Sequence, residues 1–189
     1  MTRLANVTAI ILCGGQGRRM GGSDKPLMLH EGRRLIEHIA DIVAPLCGEV
    51  LISANRNEDT YRTFGEVIAD RQPDRGPLEG MAACLHRAQT PWAFVCPGDA
   101  PGLSTDVVRR LYQTAINKSV KVTVAHDGSR RQHLHLLLAT ELADAIDDYL
   151  GSGGRSVHGW LDSREAAEVN MADLSGNFVD LDQPGDLDK

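Results

Sequence analysis

The chain of 189 residues has no C-x-x-C pair, no long apolar run, no excess of positive charge and no internal repeat. Each absence excludes something. The four cysteines, Cys13, Cys47, Cys84 and Cys96, stand far apart, and their plainest reading is buried thiols in a reducing compartment. The early apolar run "VTAIIL" (Val7–Leu12) has six residues. A membrane-spanning helix needs ~20, and a signal h-region ~7–15 behind a more basic start. A soluble, cytoplasmic protein without a membrane partner is expected. The net charge of −6 argues against a general nucleic-acid binder, which would normally be basic. It leaves local basic clusters free to hold one anionic ligand, and it allows transient contacts with other proteins. No low-complexity tract or long linker divides the chain, so one domain over residues 1–189 is expected, as a monomer.

What is present is alternation. Val7–Leu12 reads as a fully buried strand. Ile36, Ile39, Ala40 and Val43 recur at helical spacing on one face. Glu49–Ala54 and Glu66–Asp70 read as strands, followed by a helix through Met81, Cys84, Leu85 and Ala88. Trp92–Cys96 is another buried strand. Ser104 and Thr105 are placed to cap a helix that turns Val108, Leu111, Tyr112 and Ala115 inward. Two strands, Val120–Ala125 and His133–Ala139, flank the turn "HDGS". A helix through Leu142, Ile146, Tyr149 and Leu150, a short one through Val157, Trp160 and Leu161, and a last strand at Phe178–Asp182 complete the reading. This pattern implies a three-layer α/β/α domain on a mostly parallel sheet. Ligands bind such sheets at the carboxyl ends of the strands. Four strands lead there into unusual polar stretches: the segment Leu12–Lys25, Asn55 with Arg56, Asp70, and Asp99.

The segment Leu12–Lys25, "LCGGQGRRMGGSDK", resembles a phosphate loop but fits neither common template. Gly15, Gly17 and Gly21 give G-x-G-x-x-x-G, one residue longer than the dinucleotide fingerprint, and the second strand ends in Asn55 and Arg56 rather than an acid. The triphosphatase loop requires Gly-Lys, whereas Lys25 follows Asp24 and precedes Pro26. The composition suits close backbone approach to an anion, with Arg18, Arg19 and Lys25 adding charge. Fixed cations there would favour departure of pyrophosphate, which concentrates negative charge on the leaving group.

"LCGGQGRRMGGSDKP" resembles the L-A-G-G-x-x-x-R-M-G-x-x-K signature of nucleotidyltransferases with a Rossmann-like, glycosyltransferase-A type sheet. "ISANR", "VIAD", "GPLEGM" and "CPGDAP" follow in order and narrow the resemblance to the molybdenum cofactor guanylyltransferase (MobA) family. That resemblance implies a Mg²⁺-dependent transfer of GMP from GTP to the terminal phosphate of molybdopterin, with cofactor-maturation proteins as transient partners. It implies that Leu12, Cys13 and Gly14 lie along the guanine and ribose, Cys13 standing where the family usually has Ala. Gly15, commonly Ala in the cytidylyl relatives, favours GTP. Arg19 and Lys25 are implied to hold the phosphates, with Arg18 either joining them or facing solvent. Asn55 is implied as a base or ribose contact, its plainer alternative being a turn-forming Asn. Asp70 matches a carboxylate that accepts from guanine N1–H and the 2-amino group. The "GPLEG" turn, through Gly80, forms the other side of the base pocket, with Glu79 replacing the usual Ala. Asp99 is implied as the Mg²⁺ ligand, and with Arg19 and Lys25 it makes the catalytic set.

The last third departs from the family. "DLDQP" (Asp180–Pro184) replaces N-x-N-T-P, so either Asp180 or Asp182, with Asp182 favoured, adds a second carboxylate to the metal, or the segment holds the chain end by hydrogen bonds. "QHL" replaces Q-P-L and sets His133 and His135 at a spacing that puts both on one strand face. They are read as ordinary strand histidines or, with a third ligand, as a metal pair. The resemblance, with one basic residue after "GSGG", implies that this stretch shapes the pterin side and that Arg155 meets the acceptor phosphate. The alternatives are a cytidylyltransferase, a nucleotidyltransferase with another phosphorylated acceptor, and a non-catalytic nucleotide-binding module.

Overall fold

A computed structural model describes residues 2–14, 24–72 and 75–179. In chain order its strands and α-helices are β1 (Leu4–Leu12), β2 (Leu29–His30), β3 (Arg33–Arg34), α1 (Leu35–Leu46), β4 (Cys47–Ser53), α2 (Glu58–Tyr61), β5 (Glu66–Ile68), α3 (Pro77–Arg87), β6 (Trp92–Pro97), α4 (Thr105–Lys118), β7 (Val122–His126), β8 (Arg131–Ala139), α5 (Ala143–Gly151), α6 (Val157–Asp162) and β9 (Ala167–Asn170). Among the described residues seven strands form one sheet in the order β5-β4-β1-β6-β8-β7-β9. β1 pairs in parallel with β4 and β6, β4 with β5, and β7 with β9; β8 runs antiparallel to both its neighbours. The mostly parallel α/β sheet expected from the alternation is therefore present.

The central strand shows why. From Val7 to Leu12 every residue of β1 is buried, because helices cover both faces of the sheet. Ile36, Ile39 and Val43 of α1, Tyr61 of α2 and Val107, Val108, Leu111 and Ala115 of α4 pack on one face. Leu78, Met81 and Leu85 of α3, Ala143, Ile146 and Leu150 of α5 and Val157, Trp160 and Leu161 of α6 pack on the other. Alternate residues of a strand serve opposite layers: Ile11 joins the first cluster, Ile10 and Leu12 the second.

Three local expectations are corrected. The last strand is not at Phe178–Asp182: Phe178 ends a 3-10 helix over Ala172–Phe178, and residues 180–182 lie outside the described residues. β9 takes the edge position instead, with Val169 as its buried residue. Ser104 stands at the N-cap of α4, but its buried hydroxyl makes no cap bond. His133 and His135 do not share a face. Ala125 pairs with Gln132 and Val124 with Leu136, so residues 133 to 135 form a bulge without partners on β7. His135 turns into one layer against Phe178, ring centroids 5.0 Å apart, while His133 meets His158 of α6 in the other.

Candidate active site

Leu12 of β1 is level with Ser53 of β4 and with Pro97 of β6, and Ser53 is level with Ile68 of β5. Four strands thus end together, and the ladder runs one step past them: Cys13 N–H donates to Ser53 O at 2.9 Å, Ala54 N–H to Ile68 O at 3.1 Å, and Gly98 N–H to Leu12 O at 2.8 Å. The polar residues that follow these strands are delivered to one edge, as the strand-end rule requires.

At that edge a cavity of about 270 Å³ opens. Leu12, Cys13, Gly14, Lys25 and Asp99, all expected from the sequence, line it. Lys25 Nζ lies 3.0 Å from Asp99 Oδ2, and both side chains are partly buried. Gly98 makes this approach feasible: a Cβ there would stand 2.7 Å from Cys13 Sγ and 3.1 Å from Pro26 Cγ. With no side chain at 98, the end of β6 packs under β1 and under the Lys25–Pro26 segment. The Cys13 thiol is itself buried, so Ala or Cys at this position leaves the backbone face toward the cavity alike. Burial, and after it the neighbouring Asp24, pushes this thiol well above the usual range.

Asp24, Arg56, Pro77 and Leu134 also line the cavity; the sequence reading placed Arg56 at the ligand edge and Pro77 in the base-pocket turn, and gave Asp24 and Leu134 no role. The Asp24 side chain is largely buried; its Oδ2 accepts from Asn57 Nδ2 at 2.8 Å and faces Arg56 Nε at 3.7 Å. It thereby ties the start of the Lys25–Leu27 turn to the loop after β4. An acid within a glycine- and cation-rich loop was the signal available for it.

Asn55 and Asp70 stand one strand further out, beyond the lining residues. They hold each other: Asn55 Nδ2 donates to Asp70 Oδ2 at 2.8 Å, and Asp70 N–H donates to Asn55 Oδ1 at 2.8 Å. Partial burial raises the Asp70 carboxyl above its ordinary value, the Asn55 bond acts against this, and the nearby Glu79 adds to it. Gly80 is buried against the pair, and a Cβ on it would meet Ser53 Oγ at 2.1 Å and Asp70 Oδ1 at 3.0 Å. Arg155 lies near the N-terminus of α3, and its Nη1 donates to the carbonyls of Leu150 and Gly154, capping the end of α5. The expected site residues Gly15, Arg19 and Asp182, with Arg18 and Asp180, lie outside the described residues.

Asp99 is a carboxylate of the kind Mg²⁺ takes, one or two to a site with phosphate oxygens and water filling the other positions, and here Lys25 Nζ stands on one of its oxygens, Oδ2. Among the described residues the one cluster of three metal-ligating side chains is elsewhere, at His86, Asp144 and Asp147, and Arg71 already occupies both oxygens of Asp147.

Residues 9–167 match the family model described as the MobA-like NTP transferase domain. The chain belongs to that family. It is 38% identical over 189 residues to a molybdenum cofactor guanylyltransferase of Cupriavidus pinatubonensis, covering 96% of this chain and 94% of the relative. A Shewanella sediminis protein of the same name is 36% identical over 180 residues, covering 94% and 92%. Among solved structures, molybdopterin-guanine dinucleotide biosynthesis protein A from Archaeoglobus fulgidus superposes with a TM-score of 0.78 at 21% identity, over 96% of this chain and 95% of that one. A Francisella tularensis 2-C-methyl-D-erythritol 4-phosphate cytidylyltransferase reaches 0.73 at 15% identity, over 97% of each chain. Since both structures share the fold, the fold alone does not choose the nucleobase. Members of this family are nucleotidyltransferases by name, so the cavity at the ends of β1 and β6 is a candidate nucleotide site. No described helix is long and apolar enough to cross a membrane.

Proposed function

We propose that the protein transfers GMP from GTP to the terminal phosphate of molybdopterin and releases pyrophosphate. The observation that carries this reading is the Lys25–Asp99 pair in the cavity at the joined strand ends, in a chain that matches proteins named molybdenum cofactor guanylyltransferase along nearly its whole length. The acceptor phosphate is already ionised, so the reaction needs no strong general base. Its barrier lies in bringing polyanions together and in charge on the leaving group, so positioning and fixed charge dominate.

The backbone of Leu12–Gly14 borders the base and sugar. Lys25, with Arg19, offers positive charge to the phosphates and holds it where the leaving pyrophosphate gains negative charge. Asp99 would hold Mg²⁺, which when bound neutralises and orients the triphosphate. Asp70, held by Asn55, accepts from the two donors on the guanine edge, a pair of donors that cytosine lacks. Four free, buried thiols suit work in a reducing cytoplasm.

The test is to offer GTP, CTP and ATP with Mg²⁺, with and without molybdopterin, and to follow pyrophosphate and dinucleotide product. Turnover with GTP and molybdopterin is expected. Preference for CTP would overturn the guanylyl assignment, and binding without turnover would make the chain a nucleotide-binding module.

A further inference from the structure

Arg71 directly follows Asp70, and all three of its nitrogens are engaged. Nε faces Glu79 Oε1 at 3.2 Å, Nη1 donates to Asp147 Oδ2 at 2.9 Å, and Nη2 donates to Asp147 Oδ1 at 2.5 Å. His86 Nε2 lies 2.7 Å from the same Asp147 Oδ2. The guanidinium therefore joins the segment after β5 to α3, through Glu79, and to α5, through Asp147. Glu79 is only 2% exposed. A carboxylate that deep is costly unless a cation answers it, and Arg71 supplies that cation from a bidentate anchor on Asp147.

The four residues close a ring. Asp70 is bonded to Arg71, Arg71 is paired with Glu79, Glu79 is bonded to Gly80, and a Cβ on Gly80 would stand 3.0 Å from Asp70 Oδ1. Asn55 holds the other oxygen of Asp70 from β4. The carboxylate is thus bonded to the sheet through Asn55 on one side, and on the other it faces Gly80 of α3 closely enough to leave no room for a Cβ. A plain helix staple would have no reason to include the residue next to Asp70, or to bury its acid one position before the glycine where a Cβ would crowd Asp70 Oδ1.

We propose that the Glu79–Arg71–Asp147 bridge positions Asp70 for nucleobase recognition, which makes Arg71 and Glu79 positioning residues for the choice of GTP. This rests on the reading that Asp70 accepts from the guanine edge. Loosening the bridge lets α3 and the segment after β5 separate, so the penalty falls on base recognition rather than on the phosphates at Lys25 and Asp99.

The experiment compares GTP with inosine triphosphate, which keeps N1–H but lacks the 2-amino group. Kd in Mg²⁺ is measured by calorimetry, and KM and kcat by pyrophosphate release with molybdopterin present. Arg71→Met and Glu79→Gln are expected to raise the Kd and KM for GTP about tenfold, a size usual for directly coupled neighbours. The preference for GTP over inosine triphosphate should shrink, with kcat changed less than KM. In an Asp70→Asn background Arg71→Met should add nothing further, because its effect runs through Asp70. If Arg71→Met does not fold with Glu79 left unpaired, Arg71→Met with Glu79→Leu removes both charges and carries the same comparison. Loss of melting temperature alone, with base preference unchanged, would overturn the proposal, as would additive effects of the Asp70 and Arg71 changes. An Asp70→Asn variant with native GTP affinity would overturn the base reading and the proposal with it, whereas a damaged Asp70→Asn beside an unaffected Glu79→Gln and Arg71→Met would overturn the proposal alone.

Discussion

Replacing Gly80 by alanine tests how tightly α3 must approach the sheet. A Cβ at residue 80 would stand 2.1 Å from Ser53 Oγ, 3.1 Å from Ser53 Cβ and 3.0 Å from Asp70 Oδ1. Rotating the serine hydroxyl relieves the shortest of these, but its Cβ and the Asp70 oxygen stay too close, since unstrained carbon contacts lie at ~3.5–4.0 Å. The helix must therefore back away from β4, at about 1–3 kcal/mol for an overfilled core. Alanine recovers about 1 kcal/mol of that by its better helix propensity. The net loss is about 1 kcal/mol, a fall in melting temperature of ~2–4 °C for a chain of this size. The larger consequence is at Asp70, whose oxygen must move. A hydrogen bond to a charged group is worth ~1.5–3 kcal/mol, so GTP affinity should drop about tenfold or more at 1.4 kcal/mol per decade. Urea unfolding and GTP calorimetry on Gly80→Ala measure the two effects separately. Adding Ser53→Ala removes only the Oγ contact and leaves the Ser53 Cβ and the Asp70 oxygen in place, so it should restore only a small part of the stability. A Gly80→Ala protein that is as stable as the native chain and binds GTP equally well would refute the reasoning.

Other expectations follow from the same geometry. Asp99→Ala should lower GMP transfer by at least about a hundredfold, the scale of losing one electrostatic contact to the reacting groups. Its melting curve should change little, because the Lys25–Asp99 pair is partly exposed and such pairs contribute ~0–1 kcal/mol; native turnover would remove Asp99 from the site. The Asp70 carboxyl sits above its ordinary value of 3.8, chiefly through burial, and base reading needs its anion. The KM for GTP should therefore climb as pH falls through that raised value. Glu79→Gln removes a like charge and should move this acid limb to lower pH, while Asn55→Ala should move it up; a limb indifferent to both would separate Asp70 from GTP binding. Burial pushes the Cys47 thiol up to about 12 and also raises those of Cys13, Cys84 and Cys96. A thiol reagent at pH 8 should leave the native protein nearly unlabelled and modify four groups after unfolding, and fast native labelling would contradict the burial.

How much was legible varies with the physics of each element. β1 and α1 were readable because their apolar periodicity reports burial directly: Ile36, Ile39, Ala40 and Val43 are all buried where the helical spacing placed them. β9 was not, since an edge strand of four residues with one buried side chain carries no periodic signal. Phe178 misled because a large apolar residue beside Val179 reads as strand, while its ring is held by His135 at the end of a 3-10 helix. His133 and His135 misled because a two-residue period holds only for a regular strand, and β8 bulges there. Within the site, Lys25 and Asp99 were recognisable as residue types in characteristic stretches. Asp24 and Gly98 were overlooked because their parts depend on what packs against them.

The order of strands and helices, the small and cationic character of the Leu12–Lys25 segment, and the placing of polar residues after buried strands are properties of the sequence by itself. They follow from local rules: burial needs apolar runs, close approach needs glycine, and strand ends face the ligand edge. Which charges meet was decided only by tertiary structure. Lys25 faces Asp99 because parallel pairing of β1 and β6 brings their ends level. Asn55 holds Asp70 because β4 and β5 do the same. Glu79 finds Arg71, and Arg71 finds Asp147, because α3 and α5 share one face of the sheet. Contacts between residues far apart in the chain depend on register and packing, which no single stretch of sequence contains.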